Sequence, residues 1–108
     1  MRAFVTGGTG HVGSTVIQVL FERGHEVHCL VRKTSDLTFL KSLNSSKLFF
    51  TIGDLKSPDT ILKGIKDAQP DYVFHSAAAL GRWAPWKYFY GLNVLGTQYV
   101  AEAVEKVT

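Results

Sequence analysis

Glycines, a pair of cations and one carboxylate stand at the ends of apolar runs, and their spacing suits binding chemistry. The run Met1 to Val5 opens into Thr6-Gly7-Gly8-Thr9-Gly10-His11-Val12-Gly13. The glycines fit two registers, Gly8-x-Gly10-x-x-Gly13 and Gly7-x-x-Gly10-x-x-Gly13. In either, a first glycine turns the chain out of a strand and a second lets backbone approach a pyrophosphate. A third lets helix and strand pack closely. The helix that follows offers unpaired N–H groups and a partial positive charge to the phosphates. Three further runs end in polar or small residues: Glu26 to Val31 in Arg32-Lys33, Leu48 to Ile52 in Gly53-Asp54-Leu55, and Asp71 to His75 in Ser76-Ala77-Ala78-Ala79.

These groups can meet only if the apolar runs lie side by side. Between the runs, helical spacing recurs. Val12, Val16, Ile17 and Leu20 form one stripe in a helix expected over His11 to Arg23, closed by Gly24. A short helix is expected from Asp36 to Leu43, capped by Ser35 or Asp36. Ser57-Pro58-Asp59 opens a third, with Ile61, Leu62 and Ile65 on its apolar side and Pro70 beyond it. A loop from Leu80 to Pro85 leads to a long helix from about Trp86 to Val107. Strands alternating with helices predict an α/β fold with right-handed crossovers. The expected form is a Rossmann-like doubly wound parallel sheet of about four strands, order 3-2-1-4, with helices on both faces. That order brings the glycine turn, Arg32, Asp54 and the Ser76 to Ala79 run to one crevice at the carboxyl ends of the strands.

The 108 residues suit one domain, spanning 1–108. Composition is that of a soluble globular protein, 45% hydrophobic and 19% charged, and no apolar run reaches the roughly 18 residues that span a membrane. With the first strand starting at Met1, no leader is expected. Cys29 is the single cysteine, which fits a reducing cytoplasm. The net charge of +3 is spread over scattered Lys and Arg; it suits an anionic small ligand and not nucleic acid. His25 and His28 lack partners at ligand spacing, so no metal is expected. Trp83, Trp86, Tyr88, Phe89 and Tyr90, with Arg82 and Lys87, form an aromatic and basic patch suited to a pocket mouth or an assembly interface.

Taken in order, Thr6 to Gly13, Gly53-Asp54-Leu55, His75-Ser76-Ala77-Ala78 and Asn93-Val94-Leu95-Gly96-Thr97 resemble the successive motifs of extended short-chain dehydrogenases/reductases, the NAD(P)-dependent epimerase/dehydratase group. Val31 to Ser35 and Arg82-Trp83-Ala84-Pro85 are most similar to its dihydroflavonol-reductase-like and sugar-epimerase-like branch. The resemblance covers essentially this whole chain but only the N-terminal third of a typical member. It implies a nicotinamide dinucleotide cofactor. Gly7, Thr9, Gly10, His11, Val12 and Gly13 would cradle the pyrophosphate, and Asp54 would accept from the adenine amino group beside the Leu55 N–H. Ala77, Ala78 and Ala79 would lie against a ribose, and Asn93 would brace the turn after the fourth strand. At the end of the second strand an acid binds a ribose 2′-hydroxyl, whereas Arg suits a 2′-phosphate. Arg32 and Lys33 there favour NADP(H); Asp36 keeps NAD possible.

The family's catalytic Tyr-x-x-x-Lys pair is missing from these residues: Tyr72, Tyr88, Tyr90 and Tyr99 are followed four positions on by Ser76, Leu92, Val94 and Ala103. No catalytic residue is therefore expected, and the chain alone is expected not to transfer hydride. The fourth strand would be an edge and the long helix is apolar nearly all round, so a homodimer or larger assembly through either is expected. A structural protein that keeps the fold without a cofactor stays open as an alternative.

Overall fold

The computed structural model describes residues 1–43, 46–78 and 84–107. Its elements are β1 (Arg2–Thr6), α1 (His11–Glu22), β2 (Glu26–Val31), α2 (Thr38–Ser42), β3 (Leu48–Ile52), α3 (Pro58–Ala68) and β4 (Tyr72–His75), then α4 (Trp86–Phe89), a π-helical turn (Tyr90–Leu95) and α5 (Gly96–Val107). The strands are parallel and ordered β3-β2-β1-β4, as the alternation of elements requires. No helix among the described residues is long and apolar enough to cross a membrane.

The core divides at β1 because neighbouring side chains on a strand point to opposite faces. Phe4 joins Leu30, Ile61, Ile65, Val100 and Ala103 beneath α3 and α5. Val5 joins Ile17, Val27, Cys29, Val31 and Leu40 beneath α1 and α2. In register, Phe4 lies between His28 of β2 and Val73 of β4, and Val5 between Cys29 and Phe74. The strand that carries the glycine turn is thus gripped on both edges and both faces.

Several local features differ from the sequence expectation. Val12 is 65% exposed and stands outside the α1 stripe, which Ile17, Leu20 and Phe21 form, while Val16 is half-buried and lines the groove beside β4. The short helix begins at Thr38, with Leu37 at its cap position. Asp36 instead closes the turn ahead of it, its carboxylate accepting from Thr38 Oγ1 at 2.6 Å and Thr38 N–H at 3.0 Å. Those bonds hold the Asp36 carboxyl below its ordinary value. Ser57 occupies the α3 cap, but its hydroxyl makes no capping bond. The segment from Trp86 to Val107 is helical but interrupted by the π turn, a wider winding that places Gly96 against Leu55. Ala79, Arg82 and Trp83 lie outside the described residues.

Candidate functional site

The carboxyl ends of the strands surround a cleft of about 580 Å³. This is the range of small-molecule sites, and the position, outside strands β1 and β4 where the strand order reverses, is where open α/β sheets bind ligands. Of the residues singled out from sequence, Gly7, Thr9, Gly10, Arg32, Asp54 and Leu55 line it, together with Ala77 and Ala78. His11, Val12, Gly13, Lys33 and Asn93 do not.

The geometry selects between the two glycine registers. Gly7 has φ +74°, and a Cβ there would stand 2.6 Å from the Ala77 nitrogen. Its carbonyl accepts from Gly10 N–H at 3.0 Å and closes the turn. A Cβ on Gly13 would overlap that same carbonyl, so α1 can sit on the turn only with glycine there. Gly8 has another duty, leaving room for the Cys29 thiol and Ile17 beneath it. Burial pushes that thiol up to about 11, so it is a neutral floor under the turn. Gly7-x-x-Gly10-x-x-Gly13 is therefore the register that shapes the turn. Gly10 differs from the others, because a Cβ there would meet only the Gly7 oxygen, at 3.4 Å. Packing does not demand a glycine at that point, and the space before it belongs to the cleft.

Gly10 is also the α1 N-cap and supplies no side-chain bond. The first helical bond from this end is Ser14 N–H to the Gly10 carbonyl, at 2.9 Å. The N–H groups of His11, Val12 and Gly13 thus lie at the helix start without an intrahelical acceptor, an arrangement able to receive an anion through backbone alone.

A chain of hydrogen bonds fixes the opposite wall. Ser76 Oγ donates to the Thr6 carbonyl at 2.7 Å. His75 Nδ1 lies 2.6 Å from Thr6 Oγ1, and Nε2 lies 2.9 Å from Thr97 Oγ1. Thr97 gives its only hydroxyl proton to the Asn93 carbonyl at 2.6 Å, so it accepts from His75 Nε2–H. Nδ1 must then accept from Thr6. One neutral tautomer satisfies the chain, which links β1, β4 and α5 behind the cleft. The Thr97 side chain thus bridges the helix to the end of β4, resting on the Asn93 carbonyl.

Burial lowers the His75 pKa below its usual 6.5. The unfolded chain therefore takes up this proton first as pH falls. Its contribution to stability is complete above pH 6.5 and is lost on acidification through the folded-state value. Urea midpoints should be lower at pH 5.5 than at pH 7.5, and His75→Phe should flatten that difference. An equal difference in the variant would remove His75 as its source.

The ends of β2 and β3 complete the cleft. After β2, Arg32 N–H donates to Ser35 Oγ and Ser35 N–H to the Arg32 carbonyl, both at 3.0 Å. This small closed turn holds Arg32 at the mouth, exposed and without a carboxylate partner among the described residues. After β3, Asp54 N–H donates to Thr60 Oγ1 at 3.0 Å, and Thr60 Oγ1 donates to the Ser57 carbonyl at 2.8 Å. Thr60 thereby ties the Asp54 turn to α3. Asp54 Oδ1 accepts from Lys56 N–H at 2.9 Å. Leu55 faces the core under Gly96, and Tyr88 and Leu92 close this end. Thr60 carries no local signal for its position, since long-range packing brings it there; Tyr88 belongs to the aromatic and basic patch read from the sequence as suited to a pocket mouth.

A parallel sheet ordered β3-β2-β1-β4, with a glycine turn and helix N-terminus over its switch point, defines a Rossmann-like α/β protein. The chain belongs to the NAD dependent epimerase/dehydratase family, whose sequence profile matches residues 3–108. It is 35% identical over 103 residues to the 4-hydroxy-2-methyl-3-oxo-4-farnesyl-3,4-dihydroquinoline-1-oxide ketoreductase of Stigmatella aurantiaca, covering 95% of this chain and 29% of that protein. It is 34% identical over 103 residues to the 2-alkyl-3-oxoalkanoate reductase of Stenotrophomonas maltophilia, with coverage of 95% and 29%. Among solved structures, the Bordetella bronchiseptica enzyme WbmH in complex with NAD+ superposes with a TM-score of 0.85 at 30% identity, covering 98% of this chain and 35% of that one. The chain therefore spans about 29% of the length of these two reductases.

Proposed function

We propose that this chain is a single cofactor-binding domain that holds a nicotinamide dinucleotide, with NADP(H) favoured, and that it supplies no catalytic group. The observation that carries the reading is the space before Gly10, open to the cleft and faced by the start of α1. In this reading Gly7, Thr9 and Gly10 with the N–H groups of His11, Val12 and Gly13 hold the pyrophosphate. Asp54 and Leu55 meet the adenine, Ala77 and Ala78 lie along a ribose, and Asn93 braces the wall behind them. When bound, the cofactor would supply hydride chemistry; these residues bind and orient it. The residues named here include no Tyr-x-x-x-Lys pair, so the proposal gives them binding and orientation only. Turnover of NADPH with a carbonyl substrate by the pure chain would overturn that part.

Arg32 carries the preference for NADP(H), with Lys33 adding positive charge nearby. A charge-assisted pair to a 2′-phosphate is worth about 1.5–3 kcal/mol, roughly tenfold or more in affinity. In calorimetric titrations the unaltered chain should bind NADPH more tightly than NADH, and Arg32→Ala should weaken NADPH alone. Equal weakening of both, or tighter NADH in the unaltered chain, would restore NAD, the cofactor in the WbmH complex. No saturation by either would leave the alternative of a fold kept without a cofactor.

We also propose self-association along β4 or α5. Tyr72 and Phe74 of that strand are exposed, and apolar grooves of about 610 and 490 Å³ flank it on the two faces of the sheet. A monomer mass by light scattering at micromolar concentration would refute this. The buried single thiol supports a reducing compartment, and we place the chain in the cytoplasm.

A further inference from the structure

We propose that Tyr88, held by Lys56, is the aromatic wall against which a purine base packs, and that this pair sets the affinity for the adenosine half of the ligand. The inference rests on the dinucleotide reading and names residues that reading does not use. Tyr88 is half-buried and lines the cleft with Leu92 and Asp54. It sits on α4 just before the winding widens into the π turn, and wider winding keeps residues four apart on one side. Tyr88 and Leu92 therefore present one surface to the cleft.

The Lys56 ammonium stands over the Tyr88 ring, 4.3 Å from its centroid. Lys56 is placed by the same carboxylate that lines the cleft, since Asp54 Oδ1 accepts from its N–H. Asp54, Lys56 and Tyr88 thus form one connected unit across the end of the cleft away from the glycine turn. In the same group Trp86 stacks on Tyr90 with centroids 4.9 Å apart, and the Tyr88 and Phe89 rings meet at right angles with centroids 5.6 Å apart. Among the described members of this aromatic group, Tyr88 is the one that lines the cleft. An aromatic ring lining the same cleft as a carboxylate acceptor suits a flat heterocycle with an amino edge. It does nothing for a phosphate.

Calorimetric titration with NADPH, ADP-ribose and nicotinamide mononucleotide tests this. Stacking contributes about 1–3 kcal/mol per base, which converts to roughly fivefold to 150-fold in affinity. Tyr88→Leu should weaken NADPH and ADP-ribose alike, at least fivefold, and leave the mononucleotide unchanged. Tyr88→Phe should restore affinity to within about twofold of the unaltered chain, which a loss of folding would not permit. Lys56→Met, which keeps the stem and removes the charge, should give a smaller loss in the same two ligands. Unchanged ADP-ribose affinity in Tyr88→Leu would overturn the proposal while leaving the dinucleotide reading intact. An unaltered chain that binds none of these ligands would overturn both.

Discussion

Gly10→Ala is expected to weaken NADPH at least tenfold while moving the thermal midpoint by no more than about 5 °C. The two halves of this expectation come from one measurement of space. A methyl group at Gly10 would touch only the Gly7 oxygen, at 3.4 Å, which is ordinary contact. The backbone there has φ −82° and ψ 174°, which any residue adopts. The cost to the fold is then the small preference of an N-cap for Gly over Ala, roughly 0.5–1 kcal/mol, or up to about 5 °C for a domain of this size. In the proposed reading the cost to binding is larger, because the methyl fills the space through which backbone N–H groups would reach a phosphate. Losing a hydrogen bond to a charged group costs about 1.5–3 kcal/mol. Gly13→Ala should behave differently. Its Cβ would overlap the Gly7 carbonyl and stand 2.8 Å from Ser76 Oγ, so α1, the turn and the end of β4 cannot keep their positions. That variant should lose saturable binding and also unfold more than about 10 °C earlier, as several kcal/mol of contact are lost. Unchanged NADPH affinity in Gly10→Ala would sink the phosphate role of the turn.

The same glycines show how far the sequence could be read. The alternation of strand and helix, and the placing of Gly7 to Gly13 between them, are local patterns, so the sheet order and the turn were both legible. The choice between Gly7 and Gly8 was not. It depends on the Cys29 thiol beneath Gly8 and the Ala77 nitrogen beside Gly7, contacts made by distant strands. Val12 misled for the opposite reason: its spacing fits the buried stripe, but α1 begins at the cleft mouth, where there is no core to face. The break in the final helix left no trace, because one turn of wider winding is too short to impose its own period. Thr60 braces the Asp54 turn only through α3 packing and lies in no motif; Tyr88 was legible as part of an aromatic patch, but its pairing with Lys56 was not. What local chemistry encodes was readable; what depends on a partner far along the chain was not.

Phe4→Ala should invert the Gly10→Ala result, lowering stability by about 3–5 kcal/mol while leaving NADPH affinity within about threefold in the cold, where the variant stays folded. Phe4 is fully buried at the centre of the core beneath α3 and α5. A Cβ on Gly64 would stand only 3.2 Å from the Phe4 ring and 2.9 Å from the Thr51 methyl, so α3 already lies as close to the sheet as Thr51 allows. The helix cannot descend to fill the vacated space, which places the loss toward the upper end of large-to-small substitutions. Domains of this length are stable by roughly 5–15 kcal/mol, so the urea midpoint should fall by a third or more. The cleft should persist, because β1 is held by backbone pairing to both β2 and β4 whichever side chain sits at position 4. Saturating NADPH, at about 100 times its dissociation constant, should then return ~2.7 kcal/mol and most of the lost midpoint. In Gly10→Ala the same concentration is at most about 10 times the weakened dissociation constant, so it should return no more than about 1.4 kcal/mol. If both variants lost fold and affinity together, β1 and the turn would form one cooperative unit, and the site would not be separable from the core beneath it.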